Sequence, residues 1–222
     1  MKILDTDCLV VGYGAAGGAY ALFTARQGLQ VTLLTAEEPP RGANSDWAQG
    51  GIIFHREEDM DQLKEDIIRA SDYTSNPEAV ETLARYGPET VRSLLINELK
   101  VPFDHDPDGT LKFTREGGHS TNRIIYSKDT TGRSILAELH RAVEEEPRIK
   151  VVPHAIAIDL LTLSHNSANP LDKYKPLTCI GAFYLDTSSG ETIAIRAKKT
   201  ILATGGCGQL FLHTTNQKGA VG

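Results

Sequence analysis

Hydrophobic and polar positions near the N-terminus predict a strand, a helix and a second strand, in that order. Residues 8–11 form an apolar run of the kind found in buried parallel strands. Residues 15–27 contain no proline and are rich in alanine, which predicts a helix that stops at Gly28. Residues 30–35 predict the second strand. This order is the first half of a Rossmann-type unit, in which the two strands are parallel.

Further along the chain, predicted helices alternate with extended segments. Helices are predicted at 59–70, 77–99 and 132–146, with Asn76 as the N-cap of the second. Gly87-Pro88 is expected to divide that second segment into two helices. Extended segments are predicted at 150–163, 179–186, 192–196 and 199–204, and the second and third of these form a hairpin. Segments 37–51, 101–121 and 164–176 are predicted to be loops, and the first is expected to line a site.

Composition and charge argue against several classes of protein. The chain has 222 residues and a net charge of −6, which argues against nucleic acid or an anionic membrane as a partner. Its three cysteines, Cys8, Cys179 and Cys207, are too scattered for a disulfide framework or a metal site. No apolar run approaches the length of a membrane span, and no cationic leader precedes an apolar segment. We therefore expect a reduced, cytoplasmic environment and a buried thiol at Cys8.

The segment between the first strand and the first helix is a candidate dinucleotide site. Gly12-Tyr13-Gly14-Ala15-Ala16-Gly17 matches G-x-G-x-x-G with a strand before it and a helix after it. The first glycine allows a tight turn, the second lets a pyrophosphate approach the backbone, and the third lets the helix pack closely on the strand. Free N–H groups and the helix dipole then favour phosphates. A glycine turn that serves packing alone is the alternative, which the clear flanking elements disfavour.

The acidic residue that usually binds a ribose hydroxyl in such sites is displaced here. The second strand ends at Leu34-Thr35-Ala36, and Glu37 follows one or two places late. Either Glu37 or the hydroxyl of Thr35 remains to contact the ribose. This displacement weakens an NAD interpretation more than an FAD interpretation.

Three segments, in collinear order, resemble a flavoprotein superfamily. Asn44-Ser45-Asp46-Trp47-Ala48-Gln49-Gly50-Gly51 resembles the A-Q-G-G segment that wraps the flavin in the succinate dehydrogenase, fumarate reductase and L-aspartate oxidase superfamily. Thr114-Arg115-Glu116-Gly117-Gly118-His119-Ser120, followed by Arg123-Ile124 and by 129–133, is similar to L-aspartate oxidases in particular. Ala203-Thr204-Gly205-Gly206, followed by Thr214-Thr215-Asn216, resembles the later segment of the superfamily in which the chain contacts the cofactor again.

The resemblance implies an FAD-binding domain over residues 1–222. Its fold is expected to be α/β and Rossmann-like, with a parallel sheet, helices and a small antiparallel β-hairpin insertion. Succinate dehydrogenases attach FAD covalently through a histidine five residues before the glutamine of A-Q-G-G, and Asn44 occupies that position here, which implies non-covalent FAD. The cofactor-binding residues implied are Gly12, Tyr13, Gly14, Ala15, Ala16, Gly17, Thr35, Ala36, Asn44, Ser45, Trp47, Ala48, Gln49, Gly50, Gly51, Ile156, Ala157, Thr204, Gly205 and Gly206.

The chemistry that the resemblance implies is oxidation of L-aspartate to iminoaspartate, the first step toward quinolinate in NAD biosynthesis. Oxygen or fumarate is the implied electron acceptor, and association with quinolinate synthase is implied as well. Glu116 is a candidate partner for the substrate ammonium, and His119 is a candidate partner for a substrate carboxylate. The structural alternatives are that Glu116 is a solvent-facing charge and that His119 only braces its loop. Arg133 is expected to make a structural ion pair. His55, His105 and His140 are interpreted as surface or satisfied residues.

The family pattern continues beyond Gly222 with a capping domain that carries a catalytic arginine. We therefore expect this chain to be incomplete relative to the family and to lack oxidase turnover by itself. A soluble fumarate reductase-like flavoprotein is the alternative enzyme, which the loop around Glu116 disfavours. A flavin-binding remnant without catalysis is the alternative of a different class. An NAD-binding module is disfavoured because the A-Q-G-G and A-T-G-G segments have no role in it.

Overall fold

The computed structural model describes residues 2–37 and 43–222, so part of the predicted loop 37–51 lies outside the described residues. The chain divides into two compact units. We call the first the sheet unit, comprising Met1–Asp46 and Leu139–Gly222, and the second the insert unit, comprising Trp47–Glu138. No helix in the described part of the chain is long and apolar enough to span a membrane.

Nine strands and five α-helices are assigned within the described residues. The strands are β1 Lys2–Val11, β2 Val31–Leu34, β3 Ile52–Ile53, β4 Phe113–Thr114, β5 Ile124–Ile125, β6 Ile149–Val152, β7 Ala155–Thr162, β8 Cys179–Asp186 and β9 Thr192–Leu202. The helices are α1 Ala15–Arg26, α2 Met60–Ala70, α3 Pro77–Thr90, α4 Thr131–Glu145 and α5 Leu163–Asn166. Single 3-10 turns lie at Asn44–Trp47, Glu57–Asp59, Pro170–Tyr174 and Gly208–Leu210. The predicted loop 164–176 therefore contains two short helical turns.

The sheet unit is built on one six-stranded sheet with the order β6-β2-β1-β9-β8-β7. The first four strands are parallel, and β9, β8 and β7 are antiparallel neighbours. One face buries an apolar cluster drawn from all parts of the sheet, including Leu9, Leu34, Tyr184 and Ile195. Cys8 is buried as a free thiol. The α/β class and the order of strand, turn, helix and strand are thus confirmed.

The predicted break between 192–196 and 199–204 is wrong, because β9 is one continuous strand. Its polar stretch contains Arg196 and Lys198, which look like the end of a strand in the sequence. Each instead meets an acidic residue of β1: Arg196 Nε lies 2.8 Å from Asp5 Oδ1, and Lys198 Nζ lies 2.7 Å from Asp7 Oδ1. Opposite charges on neighbouring strands stabilise such pairs. The predicted hairpin is confirmed as β8 and β9, and it forms part of the six-stranded sheet.

The predicted break at Gly87-Pro88 is also wrong. Helix α3 runs through Pro88, and a π-helix at Val91–Glu98 continues it. A proline inside a helix leaves the carbonyl four residues earlier without its usual donor. Here that carbonyl belongs to Ala84, and its oxygen lies 2.7 Å from Nε2 of buried His55. The imidazole occupies the vacant hydrogen-bonding position, so the helix does not have to end.

The N-cap predicted for α3 is confirmed, since the side chain of Asn76 accepts from the N–H groups of Glu78 and Ala79. The insert unit also contains a small antiparallel sheet with the order β3-β5-β4. The fully buried side chains of this unit include Ile124 and Ile125 of the small sheet and Leu63 of α2. This small sheet supports the two segments that the resemblance assigns to flavin and substrate.

Candidate functional site

The carboxyl ends of the parallel strands lie side by side at one edge of the sheet. Val11 pairs with both Leu34 and Leu202, which are the last residues of β2 and β9. Beyond them, the Gly12 N–H donates to Leu34 O at 2.9 Å, and the Ala203 N–H donates to Val11 O at 2.8 Å. The glycine turn, the end of β2 and the A-T-G-G segment therefore start from the same edge, where open α/β sheets bind ligands.

The space around the three glycines of the turn shows which positions the fold itself restricts to glycine. Gly12 has φ +107°, and a Cβ on it would lie 2.3 Å from Ala203 O. A Cβ on Gly17 would lie 2.0 Å from Gly12 O. Both positions therefore require glycine for the turn itself. At Gly14 the nearest atoms to a Cβ, those of Ala43 and Ser45, are 3.5 Å away, which is ordinary contact. Packing does not demand glycine there, so its small size remains available for an approaching ligand.

The first turn of α1 is suited to an anion. Its N-cap, Gly14, has no side chain, and its first turn contains no acidic residue. Ser45 Oγ accepts weakly from the Ala15 N–H at 3.4 Å. N–H groups at a helix start lack intrahelical partners and carry the positive end of the helix dipole. This arrangement fits a pyrophosphate, because phosphates bind at such helix starts.

Tyr13 contributes its backbone to the turn while its side chain points into the core. The ring is buried and packs against His140, with ring centroids 4.2 Å apart. Burial, reinforced by the nearby charge of Glu144, raises the pKa of the Tyr13 hydroxyl well above its ordinary value. The aromatic ring is therefore a packing element, and any contribution to a cofactor comes from the peptide groups on either side of it.

His140 is a residue whose importance the sequence did not reveal. It is buried on α4, and its Nε2 donates to the carbonyl oxygen of Tyr13 at 3.2 Å, inside the glycine turn. Burial lowers its pKa, although the Tyr13 carbonyl and the acidic residues Glu144 and Asp46 oppose this shift. The helical periodicity of the sequence could have predicted that His140 is buried. It lies on the same face of α4 as Leu136, Leu139 and Val143, and all four residues are buried.

The other predicted cofactor residues of the sheet unit occupy the same edge or follow it. The Thr35 N–H donates to Val152 O and its carbonyl accepts from the Ala155 N–H, at 3.0 and 2.9 Å. Ala36, Ala16, Ile156 and Ala157 are exposed, as are Thr204, Gly205 and Gly206 after β9. Asn44 Nδ2 donates to Asn216 Oδ1 at 3.1 Å, which ties two of the family-like segments together.

In the insert unit, the A-Q-G-G segment is exposed up to its last glycine. Trp47, Ala48, Gln49 and Gly50 are all exposed. Gly51 is tightly enclosed, since a Cβ there would lie 2.3 Å from Ile124 Cγ2 and 2.4 Å from Ile125 O. Its N–H donates to Glu116 Oε1 at 2.7 Å. The carboxylate of the oxidase-like loop is therefore anchored on the flavin-type segment.

Arg123 is the centre of a charged network that fixes the oxidase-like loop, residues 114–120. Its guanidinium is fully buried and binds Asp59 through two contacts of 2.6 and 2.9 Å and Asp66 Oδ2 through one of 2.6 Å. The same Asp66 oxygen accepts from the backbone and hydroxyl of Ser120, at 2.8 and 2.7 Å. Asp66 also pairs with Arg69. The loop is thus fixed to α2 through buried charged groups.

These contacts shift the ionisation of both carboxyls. The hydrogen bond from Arg123 lowers the pKa of Asp59, against a smaller opposing effect of burial. For Asp66, burial is the largest single influence and favours the neutral acid, but the bonds from Arg123 and Ser120 together outweigh it and lower the pKa. Asp59 in turn raises the pKa of Arg123. All three groups are therefore charged across the physiological range.

The orientation of His119 follows from the same guanidinium. Its Nδ1 lies 3.2 Å from Arg123 Nη1. A guanidinium can only donate, so Nδ1 accepts and the ring proton of a neutral His119 resides on Nε2. His119 is half-buried, and its N–H donates to Glu116 O at 3.2 Å. The loop brace anticipated for His119 is present, and its Nε2–H remains a donor.

The sheet edge, the anion-suited start of α1 and the glycines of the turn are those of a dinucleotide-binding protein. Residues 7–222 match the family described as FAD binding domain. The chain belongs to this family, and FAD is its cofactor.

Among individual proteins, the chain is similar to L-aspartate oxidases. It is 37% identical over 218 residues to the chloroplastic L-aspartate oxidase 2-a of Nicotiana tabacum, covering 97% of this chain and 32% of that protein. It is 36% identical over 218 residues to the L-aspartate oxidase of Halobacterium salinarum, covering 98% of this chain and 41% of that protein. The chain thus spans between about a third and two fifths of the length of these relatives.

Solved structures with the same fold include a quinol-fumarate reductase and an Sdh1. A quinol-fumarate reductase with menaquinol molecules superposes with a TM-score of 0.85 at 22% identity, covering 100% of this chain and 37% of that one. Sdh1 of Mycobacterium smegmatis gives 0.83 at 23% identity, covering 99% and 37%. These likenesses establish the fold.

Proposed function

We propose that this chain is the FAD-binding part of an enzyme that oxidises L-aspartate to iminoaspartate. The observation that carries the proposal is the anchoring of Glu116 on Gly51. It joins the loop that resembles L-aspartate oxidases to the segment that resembles the flavin wrap, within one unit of the chain. The similarity to curated L-aspartate oxidases supports the same assignment.

The anchored carboxylate suits an amino-acid substrate. Glu116 is exposed, and one oxygen accepts from the Gly51 N–H, which leaves the other oxygen and the negative charge available. An ammonium group is the natural partner for such a carboxylate. Nearby, the Nε2–H of His119 offers a neutral donor that suits a carboxylate of the substrate. Succinate and fumarate carry no ammonium, so Glu116 favours an amino acid over these dicarboxylates.

The cofactor would be held by backbone groups more than by side chains. We assign Gly12 to Gly17 to the pyrophosphate and Thr35 or Glu37 to a ribose. The resemblance assigns Ala48 to Gly51 of the insert unit to the flavin, and it separately assigns Thr204 to Gly206 of the sheet unit to the same group. When bound, FAD supplies the acceptor for the hydride that leaves the α-carbon of the amino acid. Asn44 stands where relatives with covalent FAD have histidine, which supports non-covalent binding. Oxygen or fumarate as acceptor, association with quinolinate synthase, a role in NAD biosynthesis and a cytoplasmic location belong to the same proposal.

The first test asks which ligand reduces the flavin. Purified protein loaded with FAD is mixed anaerobically with L-aspartate, D-aspartate or succinate, and the oxidised-flavin absorbance is followed. We expect L-aspartate alone to bleach it, in a slow single reduction without the sustained turnover of an oxidase, so selectivity between ligands, rather than rate, is the criterion. If FAD binds but none of these compounds reduces it, the proposed oxidation is contradicted and the alternative of a non-catalytic flavin-binding protein is supported. Reduced flavin that fumarate reoxidises, without any response to L-aspartate, would support the fumarate reductase-like alternative.

The second test isolates the charge of Glu116. In Glu116→Gln the amide oxygen can still accept from the Gly51 N–H, while the charge is lost. We expect L-aspartate to be bound about tenfold or more weakly, because a charged hydrogen-bond partner is removed. Glu58→Gln, which alters an exposed carboxylate of the same unit, is the matched control. Equal responses of the two variants to L-aspartate would contradict the role of Glu116.

A further inference from the structure

We propose that His140 is a positioning residue for the cofactor, acting through the Tyr13–Gly14 peptide of the glycine turn. Among the described residues, the hydrogen bonds and ring contacts of His140 reach one residue of the turn, Tyr13. It therefore acts indirectly, by holding one peptide group in a fixed orientation. This concerns FAD binding and is independent of which substrate the flavin oxidises.

The orientation follows from the geometry of a single peptide unit. The peptide bond is planar and trans, so the Tyr13 carbonyl and the Gly14 N–H point in opposite directions. His140 Nε2 donates to that carbonyl from the buried face of α4. The Gly14 N–H is consequently turned away from α4. This N–H has no acceptor within residues 2–37 and 43–222, and Gly14 is half-buried at the start of α1.

The surroundings of His140 make this orientation rigid. The imidazole is almost completely buried against the Tyr13 ring. The preceding residue, Leu139, packs so closely on α1 that a Cβ on Gly18 would come within 2.9 Å of its Cδ2. The donor is therefore held by close packing on both sides, and little freedom has to be lost when an anion arrives. An N–H that is preoriented in this way favours binding of a phosphate.

The test compares side chains that keep or lose the donor. The glutamine in His140→Gln is long enough to place an N–H near the Nε2 position, whereas the asparagine in His140→Asn is one methylene shorter. His140→Phe keeps a ring against Tyr13 without any donor. We expect His140→Phe and His140→Asn to bind FAD about tenfold more weakly than wild type, and His140→Gln to bind within about threefold. Without the donor at position 140 the Tyr13–Gly14 peptide can turn, which weakens the hydrogen bond from the Gly14 N–H to the charged phosphate.

A readout at Gly14 separates positioning from general stability. In ¹H–¹⁵N spectra, adding FAD or ADP should move the Gly14 amide proton downfield in wild type and His140→Gln, and much less in His140→Phe and His140→Asn. Val143→Ala truncates another buried residue of α4 and should lower stability without changing this shift. If His140→Phe does not fold, the Gln and Asn variants give the same comparison. Equal FAD affinity and equal Gly14 shifts for the Gln and Asn variants would overturn the proposal.

Discussion

Replacing Arg123 by methionine removes the centre of the charged network behind the oxidase-like loop. The side chain of Asp66, 1% exposed, would keep Ser120 and Arg69 but lose its closest cation, and Asp59 would lose both of its guanidinium contacts. Removing one partner of a buried ion pair costs about 3–5 kcal/mol, because the remaining charge is left uncompensated. For a chain of this size that corresponds to a melting temperature about 6–20 °C lower.

The assay follows thermal and urea unfolding by far-UV circular dichroism, with hydrogen exchange over residues 115–125 to detect local opening of the loop. Arg85→Met is the control, since the Arg85 side chain is 62% exposed and its Nε lies 4.0 Å from Glu81 Oε1, and we expect a change within about 0.5 kcal/mol. Adding Asp66→Asn to Arg123→Met should recover part of the loss. If Arg123→Met were as stable as Arg85→Met, the desolvation of the guanidinium would cancel its ion pairs and the reasoning would fail.

Three further predictions follow from the same contacts. Gly14→Ala should fold like wild type but bind FAD about tenfold or more weakly, whereas Gly12→Ala should not reach the native fold, because its Cβ would lie 2.3 Å from Ala203 O; circular dichroism and FAD titration check both. His55→Leu should cost about 1–3 kcal/mol in urea unfolding, because the Ala84 carbonyl loses its donor, and an unchanged midpoint would refute this. Because the pKa of Asp59 and of Asp66 is lowered in the fold, the stability that they contribute is present above about pH 4 and is lost as the pH falls further. Unfolding midpoints across that range should fall more steeply for wild type than for Arg123→Met.

Local signals in the sequence were enough to predict the start of the fold and the cofactor edge. The apolar run before Gly12, the alanine-rich helix and the three glycines lie within a few residues of one another, and each has its own steric or hydrophobic reason. The N-cap at Asn76 was predictable for the same reason, since a cap depends on residues two or three places away.

Features that depend on distant residues were not predictable. Continuity of β9 rests on Asp5 and Asp7, which lie about 190 positions earlier than Arg196 and Lys198. Passage of α3 through Pro88 rests on the imidazole of His55. The link from His140 to the glycine turn joins positions 127 residues apart. In each case a residue that looked unfavourable or uninformative locally acquires its role from a partner that only the fold brings near.

The pairing of β1 with β9 also bears on how the chain folds during synthesis. The central strand of the sheet is made first, but its neighbour emerges from the ribosome about 190 residues later, as the separation of Asp5 from Arg196 shows. At about 5–20 residues per second that interval is roughly 10–40 s. Until then, one edge of β1 has no permanent partner, and unpaired edges promote association between chains. The acidic side chains Asp5 and Asp7 on that edge disfavour pairing with a second copy of β1 while the strand waits for Arg196 and Lys198.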